Sequence, residues 1–217
     1  MRIHARPKAL FKDRKEAARF LLEKLSECRG LNPLVLAIPR GGVPLGRVVA
    51  DGLKGELDVV LVHKIGAPGN PEYAIGAVSE RGSLYTAPYA SHLAISSNYW
   101  DEEVRRQVHA LELKRKHYTP YRPAHGAANR VVIIVDDGIA TGSTVQAAIK
   151  EVDAQRPAKV IVAAAVAPPE TVELLKQEAD EVVVLAIRPD FNAVGEFFED
   201  FSQVTDEEVI HLLKSHV

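Results

Sequence analysis

The stretch Val131-Val-Ile-Ile-Val-Asp-Asp-Gly-Ile-Ala-Thr-Gly-Ser-Thr144 joins an apolar run, two acids, a turn of small residues and the start of a helix. Residues 131–135 are uniformly β-branched, which is typical of a strand buried on both faces of a parallel sheet. From Val145 onwards, apolar residues recur with helical spacing. Because open α/β sheets bind ligands at the carboxyl ends of their strands, the turn is the predicted ligand site.

The turn has the composition of a phosphate-binding loop. The N–H groups of residues 141–144 are predicted to be free donors at a helix N-terminus, where they and the helix dipole attract anions. Gly138 and Gly142 let the main chain approach a ligand closely or adopt positive φ. A P-loop is excluded because its two glycines are spaced by four residues and Ser143 stands in place of its lysine. The Gly-x-Gly-x-x-Gly dinucleotide fingerprint is also absent from the turn.

Two adjacent carboxylates, Asp136 and Asp137, stand beside this phosphate site and would repel a polyanion unless they have another role. They can accept hydrogen bonds from sugar hydroxyls or bind Mg²⁺ through water. A hydroxyl bonded to a charged acceptor contributes about 1.5–3 kcal/mol, more than the roughly 0.3–1 kcal/mol between an exposed carboxylate and a helix dipole. Ribose binding is therefore the favoured interpretation. The alternative is an ordinary Asp-Asp turn followed by a Thr or Ser helix cap.

Residues 131–144 resemble the phosphoribosyl diphosphate (PRPP) fingerprint of the type I phosphoribosyltransferases, which is an apolar strand, two acids, a short spacer and Thr-Gly with small hydroxyl residues. The resemblance implies that Asp136 and Asp137 bind the ribose 2′ and 3′ hydroxyls and, through water, Mg²⁺. It also implies that residues 141–144 hold the 5′-phosphate. The predicted PRPP-binding residues of the turn are Gly138, Ala140, Thr141, Gly142, Ser143 and Thr144.

One position departs from a branch of this family. In the enzymes that act on 6-oxopurines, an acid that serves the purine ring stands at the position of Ala140. Alanine can neither transfer a proton nor accept a hydrogen bond through its side chain. Hypoxanthine and guanine are therefore less expected as acceptors. Transfer itself is not excluded, because other branches also have alanine at this position.

A second segment agrees with the resemblance. Residues 37–44 run from a predicted strand through glycines into a helix that Pro44 is expected to open at its first position. In the family this segment is the pyrophosphate loop, and the peptide bond that enters it, here Pro39–Arg40, can be cis. A plain turn between a strand and a helix is the alternative. The PRPP-binding residues expected here are Arg40, Gly41 and Gly42.

A third segment, residues 63–73, is dense in Gly, Pro and Asn and is predicted to be a mobile loop. Type I enzymes have a flexible lid over the reacting centre in this region, and Lys64 is our candidate to contact the diphosphate there. Residues 74–80 and 83–86 are expected to form a hairpin beside the lid, which turns at Arg81-Gly82.

Composition restricts the class of protein. A chain of 217 residues with 47% hydrophobic residues suits one α/β domain over residues 1–217. A net charge of −2 without a basic block argues against a nucleic-acid partner. Cys28 is the only cysteine, so no intrachain disulfide can form, and no zinc-binding motif is present. The apolar runs are far shorter than the roughly 20 residues that span a bilayer, so we expect no membrane segment and a cytoplasmic protein.

Apolar runs alternate with helical patterns, which predicts an α/β fold with a central, mainly parallel sheet flanked by helices. The predicted strands are residues 34–38, 57–62, 131–136, 160–166 and 182–187, and the predicted sheet-flanking helices are residues 44–53, 143–154 and 170–179. A charged helix at residues 99–116 would cover either the sheet or a partner subunit in a homo-oligomer. Helices are also expected at both ends of the chain. Asp13 opens the first, with Ala17, Phe20, Leu21 and Leu25 on one side, and Thr205 caps the last.

The core is expected at about residues 30–187, with a small hood formed by residues 1–29 and 188–217. In type I enzymes the hood recognises the base, and Phe191 is the candidate to stack on its ring. The alternative is that the aromatic residues after the last strand close the edge of the core.

The sequence therefore predicts a Mg²⁺-dependent phosphoribosyltransferase. It would move the 5-phosphoribosyl group of PRPP to a nitrogen of a small, nucleobase-like acceptor and release pyrophosphate. The predicted catalytic residues are Arg40, Lys64, Asp136 and Asp137. Two alternatives remain: a regulator that senses PRPP or a nucleotide without transfer, and a hydrolase of PRPP or a nucleotide.

Overall fold

The computed structural model of the protein describes residues 9–214, so the hood residues expected at 1–8 and 215–217 lie outside it. The strands are β1 Leu34–Ala37, β2 Glu56–Val59, β3 Val62–Ala67, β4 Asn70–Ser79, β5 Leu84–Thr86, β6 Val131–Asp136, β7 Lys159–Ala167 and β8 Glu181–Ile187. The α-helices are α1 Arg14–Lys24, α2 Gly42–Leu53, α3 Ser97–Tyr118, α4 Ser143–Asp153, α5 Pro169–Leu175 and α6 Asp206–Lys214. Short 3₁₀ helices lie at Ser26–Cys28, Pro88–His92 and Val194–Phe197. None of the helices between residues 9 and 214 is long and apolar enough to cross a membrane.

Five strands form a parallel sheet in the order β2-β1-β6-β7-β8. Every neighbouring pair is parallel, for example β1 with β6, where Leu34 is opposite Val132. The carboxyl ends of all five strands therefore meet at one edge. The predicted α/β fold with a central parallel sheet is confirmed, and β6 has the predicted bounds.

The unbroken apolar strands supply two cores because side chains alternate across a sheet. In β6, Ile133 and Val135 pack on the side of α1, α2 and α6, whereas Val132 and Ile134 pack on the side of α4 and α5. All four side chains are at most 1% exposed. This two-sided burial is why the strand has no polar positions before its end.

The second sheet is antiparallel, in the order β3-β4-β5, and packs against α3 and α4. The predicted hairpin is confirmed as β4 and β5. The prediction of a loop at residues 63–73 is wrong, because this segment forms most of β3 and the beginning of β4. Gly66 lies at a β-bulge, where a methyl group would be 2.5 Å from Pro71. Gly69 lies in the turn between β3 and β4, with φ at +73°.

Several helix and strand details also differ from the predictions. The second strand ends at Val59, and α5 ends at Leu175 instead of residue 179. Phe20 is 43% exposed, and Ala18 takes its place on the buried side of α1. Pro44 is the third residue of α2, because the helix already begins at Gly42.

The two ends of the described chain pair with each other. Phe11 and Phe198 form a parallel bridge, and their rings lie 5.4 Å apart. The amide of Phe11 donates to the carbonyl of Phe197 at 3.0 Å, and the amide of Glu199 donates to the carbonyl of Phe11 at 2.9 Å. Segments from both parts of the expected hood are therefore joined by backbone hydrogen bonds.

A buried charge cluster joins β2 to α3 and to the end of β4. Asp58 is fully buried and accepts from Arg115 at 2.7 Å, from Arg122 at 3.1 Å and from the amide of His125 at 2.8 Å. Arg115 also donates to Glu80 at 2.8 Å. Burial alone would raise the pKa of Asp58, but the guanidinium groups and the His125 amide outweigh it and hold this pKa below its usual range.

We expect Asp58→Asn to lower the free energy of unfolding by about 3–5 kcal/mol at pH 7, because Arg115 and Arg122 would lose their buried anion. Urea unfolding measures this change. Glu173→Gln is the matched control, since it removes a carboxylate from an exposed ion pair with Lys176. Its effect should stay below about 1 kcal/mol.

The effect of Asp58→Asn should also depend on pH. Because folding lowers the pKa of Asp58, its contribution is complete above the pKa of an unfolded aspartate, about 3.9, and is lost as the pH falls through the lower folded value. The stability difference between the two proteins should therefore shrink as the pH falls below about 4. A difference that stays constant through this acid range would argue against an ionised Asp58.

Candidate phosphoribosyl site

The two loops predicted to bind PRPP meet at the carboxyl edge of the parallel sheet. Because β1 and β6 are neighbours, the turns that follow them leave the sheet side by side. A methyl group at Gly41 would overlap the carboxylate of Asp137, and one at Gly42 would lie 2.5 Å from the carbonyl oxygen of Val135. Glycine is therefore required at both positions for the turns to approach this closely.

Consecutive residues at the end of β6 face opposite sides of the sheet, and this separates the two aspartates. Asp136 borders a cleft on the side of α4, together with Lys64 and the turn of residues 138–142. Asp137 borders a second cleft on the side of α1 and α2, together with Arg40. Most of the predicted PRPP-binding residues therefore border one of two clefts at the same sheet edge.

The first compartment, which we call the phosphate cleft, is a cavity of about 170 Å³ at the N-terminus of α4. Gly142 caps this helix with φ at +79°. The amide of Gln146 donates to the carbonyl of Gly142 at 2.8 Å, so the amides before Gln146 precede the first α-helical hydrogen bond. Lys64, on β3, also borders this cleft and adds a positive charge to its wall. It was predicted to contact the diphosphate, but it does not border the cleft that contains Arg40, because β3 lies on the side of α4. This arrangement can bind a phosphate group.

The second compartment, which we call the diphosphate cleft, is a cavity of about 310 Å³. It is bordered by Arg40, Gly41, Asp137, Arg14 and residues 201–204. The peptide bond Pro39–Arg40 is cis, as the resemblance implied. The guanidinium of Arg40 also lies 3.8 Å from Asp206, the first residue of α6.

Arg14 is a site residue that the sequence reasoning missed. Its Nε donates to Asp137 Oδ2 at 2.8 Å, although 123 positions separate the two residues. In the sequence, Arg14 is one of several charged residues at the start of an amphipathic helix. No local signal distinguishes it, because its partner is determined by how α1 packs on the sheet.

The two aspartates are electrostatically linked. Burial, and then the charge of Asp137, raises the pKa of Asp136 well above its usual range. Burial also raises the pKa of Asp137, against the opposing effect of Arg14. Hydroxyl donors or a divalent cation would favour the ionised forms of both carboxylates.

The carboxylates are compatible with Mg²⁺. Within residues 9–214, no group of three or more His, Cys, Asp or Glu side chains could hold a metal by itself. Mg²⁺ is usually held by one or two carboxylates, several waters and the phosphates of a substrate. Asp136 is the better placed of the pair, because it borders the phosphate cleft whereas Asp137 is already paired with Arg14.

Two further predicted site residues, Ala140 and Phe191, lie in different surroundings from each other. Ala140 is exposed in the turn, and its carbonyl accepts a hydrogen bond from Thr171 at 2.5 Å. Phe191 stacks on Phe197 with ring centroids 5.6 Å apart and packs against the core. This packing corresponds to the alternative in which the aromatic residues close the edge of the core, and base binding by Phe191 stays a prediction.

Comparisons with known proteins show which family this chain resembles. Two curated proteins of Mycobacterium tuberculosis, "Putative phosphoribosyl transferase MT0597" of strain CDC 1551 / Oshkosh and "Putative phosphoribosyl transferase Rv0571c" of strain H37Rv, are each 37% identical to this chain over 205 residues. The match covers 94% of this chain and 46% of each relative, so the chain spans about half the length of these relatives.

A solved structure and a family model extend the comparison. The crystal structure of TT1426 from Thermus thermophilus superposes with a TM-score of 0.81 and 48% sequence identity, over 94% of this chain and 97% of that chain. The family model described as "Phosphoribosyl transferase domain" matches residues 8–199, which include both glycine turns and the two aspartates. This chain therefore belongs to the phosphoribosyl transferase domain family.

Proposed function

We propose that this protein transfers the 5-phosphoribosyl group of PRPP to a nitrogen of a small, nucleobase-like acceptor and releases pyrophosphate. The observation that carries the proposal is the meeting of two glycine turns at one sheet edge, with a pair of aspartates between two clefts. PRPP has a phosphate, sugar hydroxyls and a diphosphate in the same spatial order. Each group of the ligand then has a chemically matched partner.

The phosphate end would bind in the phosphate cleft. The amides of residues 141–144 and the dipole of α4 supply fixed partial positive charge, and Lys64 supplies a full charge from β3. This compartment would hold the sugar at a fixed distance from the diphosphate cleft. Such positioning lowers the activation barrier, because the translational and rotational entropy of the sugar is already lost when it binds.

The ribose would lie over the end of β6, where Asp136 and Asp137 can accept hydrogen bonds from its hydroxyls. Mg²⁺, held there by Asp136 and by waters, would neutralise charge on the diphosphate when bound. Arg40 and the amides of Gly41 and Gly42 would receive the leaving diphosphate and stabilise the charge that develops on it.

The acceptor would approach the sugar carbon that carries the diphosphate. As the carbon–oxygen bond breaks and the diphosphate leaves with the bonding electrons, the acceptor nitrogen forms its bond to the same carbon and gives up its proton. The hood is proposed to hold the acceptor, and the sheet that carries Lys64 is proposed to close over the site and exclude water. Because Ala140 provides no acid, a 6-oxopurine is not the proposed acceptor.

A turnover assay tests this proposal. We expect release of pyrophosphate when the protein is incubated with PRPP, Mg²⁺ and a panel of nucleobases, and only with those that act as acceptors. Asp136→Asn should lose this activity, because its neutral amide oxygen accepts more weakly from the ribose hydroxyls and binds Mg²⁺ more weakly than a carboxylate does. Binding of PRPP without turnover across the panel would favour a sensor, and release without any base would favour a hydrolase.

Substitution of Gly142 tests the phosphate cleft. We expect Gly142→Val to weaken binding of ribose 5-phosphate at least about 10-fold, because a β-branched residue at φ +79° costs roughly 1–3 kcal/mol and displaces the amides of the turn. Isothermal titration calorimetry measures the affinity. Gly126→Val is the matched control, since a side chain there meets nothing within 4 Å and φ is not positive. Equal affinity of both variants would contradict the assignment of the turn.

A further inference from the structure

We propose that Arg14, the first residue of α1, is a second diphosphate-binding arginine that acts beside Arg40. The inference rests on the proposed function, because its ligand is the diphosphate group of PRPP. Arg14 and the glycine turn after β1 border the same cleft but come from different parts of the chain. It would complete a clamp of two guanidinium groups.

The first argument is the charge of the diphosphate cleft. Among the described residues that border it, Arg14 and Arg40 are the two cations and Asp137 is the one carboxylate. Arg40 faces a further acid, Asp206, at 3.8 Å. A diphosphate carries several negative charges, so a second arginine would offset charge that Arg40, the glycine amides and Mg²⁺ do not fully neutralise.

The second argument is that Arg14 is held in one orientation. Its side chain is only 11% exposed, its Nε donates to Asp137 Oδ2 at 2.8 Å and its Nη1 donates to the carbonyl of Ser202 at 2.7 Å. The guanidinium carbon lies 3.8 Å from the ring centroid of Phe201. These contacts use Nε–H and one Nη1–H, which leaves the Nη2 donors for a ligand. A planar guanidinium fixed in this way suits bidentate binding of phosphate oxygens.

The third argument is the position of Arg14 in its helix. A cation in the first turn of a helix is disfavoured by the helix dipole. Helix formation therefore does not explain an arginine at this position. In this structure Asp137 offsets that cost at 2.8 Å, and in our proposal the diphosphate offsets it further.

Calorimetry with two separate ligands tests the proposal. Inorganic pyrophosphate with Mg²⁺ probes the diphosphate cleft, and ribose 5-phosphate probes the phosphate cleft and the aspartates. We expect Arg14→Gln to weaken pyrophosphate binding by about 10- to 100-fold, and Arg14→Lys to have an intermediate effect. Ribose 5-phosphate affinity should change by less than about 3-fold. Arg19→Gln is the matched control on the exposed side of α1 and should leave both affinities unchanged.

A further variant separates direct binding from loss of folding. Phe201→Leu removes the ring against which Arg14 stacks but keeps both charges of the Arg14–Asp137 pair. It should weaken pyrophosphate binding by about 2- to 5-fold, and thermal unfolding shows whether each variant is folded. If Arg14→Gln does not fold, the results for Phe201→Leu and Arg14→Lys decide the question.

The outcomes are distinguishable from failure of the proposed function. Unchanged pyrophosphate affinity in folded Arg14 variants would overturn the proposal. An equal loss for pyrophosphate and ribose 5-phosphate would also overturn it, because Arg14 would then act only by positioning Asp137. If the unaltered protein bound neither ligand, the proposed function itself would fail, and with it the clamp.

Discussion

The close approach between the turn after β1 and the end of β6 is the constraint on which the site depends. Backbone and carboxylate atoms of β6 and of the residue after it occupy the space that side chains at Gly41 and Gly42 would need. The approach follows from the sheet order, which makes β1 and β6 parallel neighbours. Alternation along the chain then directs one aspartate to each face of the sheet, so a single strand end borders two clefts.

Much of the fold and of the phosphate cleft could be predicted because the signals are local. An apolar β-branched run predicts where β6 begins and ends. A Gly-Ser-Thr turn followed by helical spacing predicts where α4 begins. The local patterns did not predict that the two glycine turns lie side by side. The resemblance to the PRPP fingerprint predicted it. The bulged strand β3 was mistaken for a loop because a bulge and a tight turn require the same glycines and prolines that loops contain.

The features that escaped prediction depend on contacts between distant parts of the chain. Arg14 meets Asp137 only when α1 has packed on the sheet, and periodicity within α1 could not show that Phe20 faces outward. The position of Phe191 is similar, because its stacking on Phe197 depends on the path of the chain after β8. Pattern reasoning assigns residues to elements, whereas tertiary packing decides which side chains meet.

The bridge between Phe11 and Phe198 has a practical consequence for work with shortened or fused versions of this protein. One wall of the diphosphate cleft consists of Arg14 from just after the first partner and residues 201–204 from just after the second. A truncation that removes Phe11 or Phe198 would break this bridge and expose the aromatic ring of the remaining partner. Expression fragments that are designed around the central sheet alone would therefore lose Arg14 and residues 201–204 from the border of the cleft.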